Sequence, residues 1–175
     1  VPSLHAFKLS DDELERVKEE VHREDNLDMV AELEGILFDI LRIERDPELF
    51  SEILAMVDSI LESLLLRGDF RHARKLLEFH REMLEPATNL PEPLRAQLQN
   101  ALRQAGNPKR ISQLQSILDS AKDETLDDFS SLMSLLGRGV VSPLVDLLGN
   151  LEKIKARRFL CDVLVRIGRE DVDNI

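Results

Sequence analysis

Apolar residues along this chain recur at intervals of three and four, the spacing that places side chains on one face of an α-helix. No stretch of useful length alternates apolar and polar residues, as a half-exposed β-strand does. The pattern therefore predicts an all-α protein. Counting the periodic segments gives about nine helices of roughly 12 to 20 residues with short links.

Capping residues predict where several of these helices begin. Ser10 and Glu13 form a capping box, in which each side chain can bond an otherwise unpaired backbone amide. Asp46 and Asn107 each precede a proline, which fits the first helical turn because its missing N–H is not needed there. Asp69 and Thr125 are predicted caps of the same kind.

Glycines predict where helices end, because a glycine accepts the left-handed backbone that commonly follows a helix. Gly68, Gly106 and Gly137–Gly139 are predicted ends of this kind. Gly168 is predicted to end the last complete helix in the same way.

The stretch from Val140 to Gly168 carries the most detailed pattern. Ser142 is predicted to cap a helix with Pro143 at its first position. The apolar face of the following helix is predicted to comprise Ile154, Arg157, Leu160, Cys161, Leu164 and Ile167. The stretch is thus a helical hairpin, and Cys161, the single cysteine, is expected to be a small buried side chain rather than a reactive thiol.

This hairpin resembles a HEAT repeat, the helix pair from which armadillo-like α-solenoids are built. The resemblance rests on one repeat, in which the matching residues are Pro143, Leu147, Leu148, Ala156, Arg157, Leu160, Leu164, Ile167 and Gly168. The sequence departs from the family in the turn, where Asn150 and Glu152 flank the position that is usually Asp.

A second stretch, Leu64 to Met83, is similar to the turn and second helix of a tetratricopeptide repeat through Gly68, Asp69, Phe70 and Ala73. Both resemblances imply stacked antiparallel helix pairs. We therefore expect an irregular α-solenoid that is HEAT-like at its carboxyl-terminal end. Residues 1–175 are expected to form a single all-helical domain of a longer repeat protein, with acidic helices over 10–84 and HEAT-like helices over 92–175.

Charge is distributed unevenly along the chain. Residues 1–70 hold 19 acidic and 7 basic residues, a net charge of −12, whereas residues 71–175 hold 15 and 16, a net charge of +1. This acidic balance argues against a nucleic-acid partner, because nucleic-acid binding depends on a basic face that releases counterions. A basic partner protein is expected instead, because the first 70 residues present an acidic surface.

No run approaches the roughly 18 consecutive apolar residues of a transmembrane helix, and the start of the sequence has no secretory pattern. We therefore expect a cytoplasmic protein with no membrane partner.

Few residues could support catalysis or bind a metal. Glu19 and His22 have the i, i+3 spacing of half a carboxylate-bridged di-iron site, but the second half is missing. His72 and His80 lie two helical turns apart, too far to share one ion, and His80 fits a core or boundary position. Gly137–Gly139 lacks the lysine of a phosphate-binding loop. We therefore predict no catalytic residue, cofactor or metal site.

A basic strip on the last helix is the candidate partner-binding surface. It comprises Lys155, Arg158, Asp162, Arg166 and Arg169, on the face opposite Leu160, Leu164 and Ile167. In HEAT-like solenoids the second helix of each pair lines the concave side, so the resemblance places this strip where partners bind. An ordinary solvated helix face is the competing interpretation.

The leading hypothesis is a non-enzymatic protein-interaction scaffold or regulatory module that presents charged helix faces to a partner. Two alternatives from other classes stay open. One is a HEAT-like protein that binds or processes nucleic acid, and the other is a helical bundle that binds a small ligand or a metal.

Overall fold

The computed structural model describes Met29 and residues 31–172. These residues form helices and no β-strand, which confirms the all-α prediction. The predicted helix from Ser10 and the Glu19–His22 pair lie outside the described residues. The chain separates into two compact units, Val1–Asp39 and Ile40–Ile175. The predicted single domain stays a prediction, because most of the first unit lies outside the described residues.

The helices begin and end close to many of the predicted positions. In chain order they are α1 (31–43), α2 (Pro47–Leu66), α3 (Phe70–Met83), α4 (Glu92–Ala105), α5 (Pro108–Ser112), α6 (Gln115–Ser120), α7 (Asp123–Leu136), α8 (Val141–Asn150) and α9 (Ile154–Val172). Short 3₁₀ segments lie at Pro86–Thr88 and Gly137–Val140. Within residues 31–172, seven helices have ten residues or more, so the count differs from the predicted nine.

The single helix predicted after Asn107 is divided into α5 and α6. The amide of Leu114 bonds the carbonyl of Ile111, only three residues back, which tightens the chain between the two halves. This break lets α5 pack against α8 while α6 packs against α9. Tertiary contacts therefore divide a segment whose periodicity is continuous.

Three of the predicted caps are confirmed. The Asp46 carboxylate accepts bonds of 2.9 Å from the amides of Glu48 and Leu49, and Asp69 accepts one of 3.3 Å from His72. Asn107 accepts a bond of 2.9 Å from the amide of Arg110. Each carboxylate or amide oxygen thus satisfies an orphan donor in the first turn of its own helix.

The predicted end of α2 at Gly68 is also confirmed. Gly68 has φ +72°, and its amide bonds the carbonyl of Leu65 while the amide of Asp69 bonds that of Leu64. These two bonds form a Schellman motif. Because the next helix begins at Phe70, α2 and α3 form the predicted antiparallel hairpin and contact each other.

Three other predicted boundaries are wrong. Thr125 is not a cap, because α7 already begins at Asp123. Ser142 is not a cap either, because the 3₁₀ segment Gly137–Val140 runs directly into α8 at Val141. Gly168 does not end α9, which continues to Val172. An interior glycine costs a helix only about 1 kcal/mol, so the flanking turns can override the signal.

Packing within Ile40–Ile175 joins three helices in a series, since α3 contacts α7 and α7 contacts α9. Two further pairs are formed by α2 with α4 and by α5 with α8. The wide apolar face of α2 predicts more than one neighbour, and its contacts with α3 and α4 confirm this. Phe70 and Phe129 are fully buried where α3 meets α7, with ring centroids 5.1 Å apart in an edge-to-face arrangement.

Gly106 is needed where the end of α4 meets the 3₁₀ segment before α8. A Cβ atom at this position would overlap Cγ1 of Val140, although Cβ of Val140 would lie 3.8 Å away, in ordinary contact. The clash thus depends on the methyl groups of one buried side chain. The close contact with Val140 therefore requires glycine at position 106. Its backbone conformation does not, because a φ of −101° is accessible to other residues.

We expect Gly106→Ala to destabilise the protein by about 1–3 kcal/mol, the usual cost of overpacking a close contact. In a Val140→Ala background the same substitution should cost about zero, because the obstructing methyl is gone. Urea denaturation of the four proteins of this double-mutant cycle measures the coupling. Additive effects of the two substitutions would show that Val140 is not the obstruction.

Candidate functional site

Helix α9, which carries the predicted strip, is held at its start by a side chain from a distant helix. The Asp119 carboxylate of α6 accepts a bond of 2.9 Å from the amide of Lys153 and longer bonds from the amide of Glu152. Next to it, Gln115 Nε2 donates to the carbonyl of Asn150 at 2.7 Å. The turn between α8 and α9 is thus fixed by α6 rather than by a local cap.

The buried face of α9 differs from the predicted one. Up to Arg169, its buried side chains are Ala156, Leu160, Val163 and Ile167. Ile154 is 68% exposed, and Cys161 is exposed, so the prediction of a buried cysteine is wrong. Small side chains at Ala156 and Val163 allow α9 to lie against its neighbours with this side facing the core.

All five residues of the predicted strip lie on the exposed part of α9, but two of them are bonded to α7. Lys155 Nζ lies 2.5 Å from an oxygen of Asp123, and Arg166 Nη1 donates to Ser130 Oγ at 2.9 Å. Within residues 31–172, Arg158 and Arg169 have neither a hydrogen bond nor an ion pair. Lys155 and Arg166 therefore attach α9 to α7, and the two other arginines remain available to a partner.

Sequence reasoning missed the apolar part of this surface. The outward face of α9 also carries Ile154, Cys161 and Val165, of which Val165 is 52% exposed. Together with the available arginines these residues form what we name the outer ribbon, which comprises Ile154, Arg158, Cys161, Val165 and Arg169. Its intervals of four, three, four and four residues keep all five on one helical face. This spacing is present in the sequence and is the signal from which the face could have been predicted.

An ionic cluster with one buried member, Arg110, joins α5 to α2, while its carboxylates Asp58 and Glu62 are partly exposed. Arg110 is only 7% exposed, and its two terminal nitrogens each donate to one oxygen of Asp58 at 2.9 Å. Glu62 lies 3.7 Å from the same guanidinium group. Bidentate, charge-assisted pairs of this kind are stronger than neutral hydrogen bonds, so the Arg110–Asp58 pair connects α5 to α2.

His80 is buried beside this cluster at 3% exposure, which confirms its predicted core position. Its Nδ1 lies 2.7 Å from the carbonyl oxygen of Leu76, so this nitrogen carries the donated proton. Burial lowers the pKa of His80, and the hydrogen bond to Leu76 and the charge of Asp58 oppose that shift. The imidazole is therefore held neutral at pH 7 as part of the packing.

Across the described part of the chain, no group of three or more His, Cys, Asp or Glu side chains could hold a metal ion. One stretch, Asp123–Asn150, is by length and composition apolar enough to be a candidate membrane span, with a mean hydropathy of 1.4. It consists of α7, the 3₁₀ segment and α8, and Gly137 with φ +64° interrupts it. One such stretch is weak evidence for a membrane span, because core helices of soluble proteins can have the same length and composition.

Comparisons with known proteins found no match to a family model, to a curated protein or to a solved structure. The resemblance to HEAT repeats consequently stays a prediction that depends on the sequence motif.

We expect Asp119→Ala to lower the free energy of unfolding by about 1 kcal/mol, as is usual for loss of a helix-capping carboxylate. Urea denaturation measures this change. Asp127→Ala is the matched control, because it removes the same charge from an exposed position on α7. Equal losses in the two variants would show that the bonds to the amides of Glu152 and Lys153 do not stabilise the turn.

We expect the buried His80 to make the protein less stable as the pH falls below about 6.5, the ordinary pKa of histidine. The folded-state pKa is lowered, so the unfolded chain binds more protons in this range and unfolding is favoured. Relative to His80→Leu, the free energy of unfolding should fall by up to about 1.4 kcal/mol per pH unit between about pH 6.5 and the folded-state pKa. Parallel pH profiles for the two proteins would contradict this expectation.

Proposed function

We propose that this chain is a non-enzymatic protein-interaction module of stacked helix pairs, and that the outer ribbon of α9 binds a helix of a partner protein. The observation that carries the proposal is the composition of the ribbon. Ile154 and Val165 are more than half exposed on the same helical face as Arg158 and Arg169. A purely solvated face does not need these apolar side chains, whereas a binding face gains from covering them.

The order of helix contacts supports the stacked arrangement. In a solenoid of helix pairs, equivalent helices of successive pairs contact one another and form two layers. The contacts of α3 with α7 and of α7 with α9 follow this order, and so do those of α2 with α4 and of α5 with α8. We therefore propose that α2–α9 form an irregular HEAT-like solenoid in which α9 is the second helix of a pair.

The chemistry of the ribbon favours an amphipathic, acidic helix as the partner. Apolar residues spaced at three and four positions are the usual anchors in helix-to-helix recognition. Carboxylates on the flank of such a helix would pair with Arg158 and Arg169, whose guanidinium groups form bidentate bonds with carboxylates. The two arginines are about 16 Å apart along the helix axis, so roughly three turns of a partner helix would be engaged.

Nucleic acid fits this surface less well. Asp162 lies between the two arginines on the exposed part of the helix, where it would repel a phosphate backbone. The apolar residues of the ribbon offer nothing to phosphate groups. A nucleic-acid function also requires a salt-dependent affinity, which the experiment below measures directly.

Cys161 allows the proposal to be tested at the site itself, because it is the single cysteine of the chain and is exposed in the middle of the ribbon. An environment-sensitive fluorophore attached to Cys161 is titrated with a synthetic amphipathic helical peptide with leucine anchors and glutamate flanks. A peptide with lysine flanks and a duplex DNA at low salt are the competing probes. Competition by unlabelled protein reports whether the label alters binding.

We expect the acidic peptide to bind and Arg158→Glu with Arg169→Glu to weaken that binding at least tenfold, about 1.4 kcal/mol. The melting temperature should stay unchanged, because neither side chain has a hydrogen bond or ion pair within residues 31–172. Arg67→Glu with Arg71→Glu is the matched control on exposed positions elsewhere. Equal binding of the lysine peptide, or DNA binding with a steep salt dependence, would overturn the proposal.

A further inference from the structure

A cavity of about 490 Å³ opens where α3, α4 and α7 come to an end. Arg81 lines it from the last turn of α3, and Leu102 and Arg103 from the last turn of α4. Leu135 and Leu136 line it from the end of α7. Three helices distant in sequence thus contribute one apolar concavity with two arginines at its wall.

Gly139 is a position at which a larger side chain could be introduced beside the cavity. Gly139, in the 3₁₀ segment between α7 and α8, lines the cavity, and a Cβ atom added there would have no heavy atom within 4 Å. A volume of this size lies within the range of small-ligand sites, which is about 300–1,000 Å³. The apolar walls would remove the hydrocarbon part of a ligand from water, which favours binding in proportion to the apolar surface area that is buried.

The two arginines have unused hydrogen-bonding capacity. Arg81 Nη1 lies 3.5 Å from the carbonyl oxygen of Leu135, which is beyond the normal length of an N–H···O bond. Arg103 has neither a hydrogen bond nor an ion pair within residues 31–172. Both side chains are exposed. Each guanidinium group can therefore donate to an anion, and guanidinium geometry matches the paired oxygens of a carboxylate or phosphate.

Helix polarity accounts for part of this arrangement but not for all of it. Basic residues in the last turn of a helix balance the negative end of the helix dipole, and both arginines occupy such turns. That role does not require them to line one apolar cavity. The position of both arginines at the wall of the same apolar cavity is the feature that indicates a ligand.

We propose that this cavity binds a small amphipathic anion, with its hydrocarbon body against Leu102, Leu135 and Leu136 and its head group bonded to Arg81 and Arg103. The site is independent of the outer ribbon, which lies on α9. Within the described residues, neither Arg81 nor Arg103 forms an ion pair with a carboxylate. An anionic head group would form charge-assisted bonds to both guanidinium groups that a cationic or neutral head group could not form, so the wall favours an anionic ligand.

The test is isothermal titration calorimetry on the full chain with decanoate and with decyl phosphate, the two head-group classes that fit a guanidinium pair. Decyltrimethylammonium has the same hydrocarbon body with the opposite charge and serves as the ligand control. All ligands are used below their micelle concentrations. Saturable binding of at least one anion, and none of the cation, is the expected result.

Variants then assign that binding to this cavity. Arg81→Ala with Arg103→Ala should weaken it at least about tenfold, because charge-assisted bonds to the head group are lost. Arg67→Ala with Arg71→Ala removes the same charge from exposed positions that do not line the cavity, and should leave the affinity unchanged.

Filling the cavity provides an independent variant. Gly139→Leu should abolish binding by occupying the space of the hydrocarbon body. Gly149→Leu is its control, because Gly149 also has free space around its Cβ position but lies outside the cavity. Far-UV circular dichroism and melting temperature check that each variant folds, and if Gly139→Leu does not fold, the arginine variants decide.

Any one of four results would overturn the proposal. The first is wild-type affinity for both anions in the double arginine variant, and the second is undiminished binding in a folded Gly139→Leu protein. The third is binding of decyltrimethylammonium as strong as that of the anions. Absence of any saturable binding of either anion to the wild-type chain would also exclude the site.

Discussion

The burial of Phe129 on α7, between Phe70 of α3 and Phe159 of α9, is the contact on which the rest of this structure depends. Phe129 and Phe70 are fully buried, and the ring centroids of Phe129 and Phe159 are 6.2 Å apart. Aromatic side chains bury large areas, so this series dominates the packing of three helices. Because α7 is fixed from both sides, its start can hold α9 through Asp123 and its end can supply a wall of the cavity.

Polar contacts complete what the aromatic series begins. The bidentate pair between Arg110 and Asp58 joins α5 to α2, and Asp119 of α6 caps the turn before α9. These bonds connect residues far apart in sequence, and they anchor the two short helices that link the longer ones. An unpaired buried guanidinium would be costly, so such pairs fix which short helix meets which long one. The outer ribbon and the cavity both lie on helices that are positioned in this way.

Local signals in the sequence were reliable where the chain satisfied its own backbone. Asp46 and Asn107 cap their helices because the accepting oxygen lies only two or three residues from the donating amide. Predicted helix boundaries were wrong where the neighbouring segment continued or preceded the helix with a turn of its own. Ser142 lost its role because a 3₁₀ turn precedes α8, and Gly168 did not end α9 because the helix continues through it. A cap is a preference of about 1 kcal/mol, and tertiary packing outweighs it.

The sequence by itself determined that this protein is helical, which residues cap α2, α3 and α5, and that Gly68 turns the chain between α2 and α3. Only the tertiary structure decided which side of α9 faces the core, and it placed Cys161 outside. Apolar residues extend around much of that helix, so periodicity allowed several buried faces and the neighbouring helices selected one. The cavity likewise required the ends of three helices to meet, and no local pattern specifies a contact between residues as distant as Arg81 and Leu135.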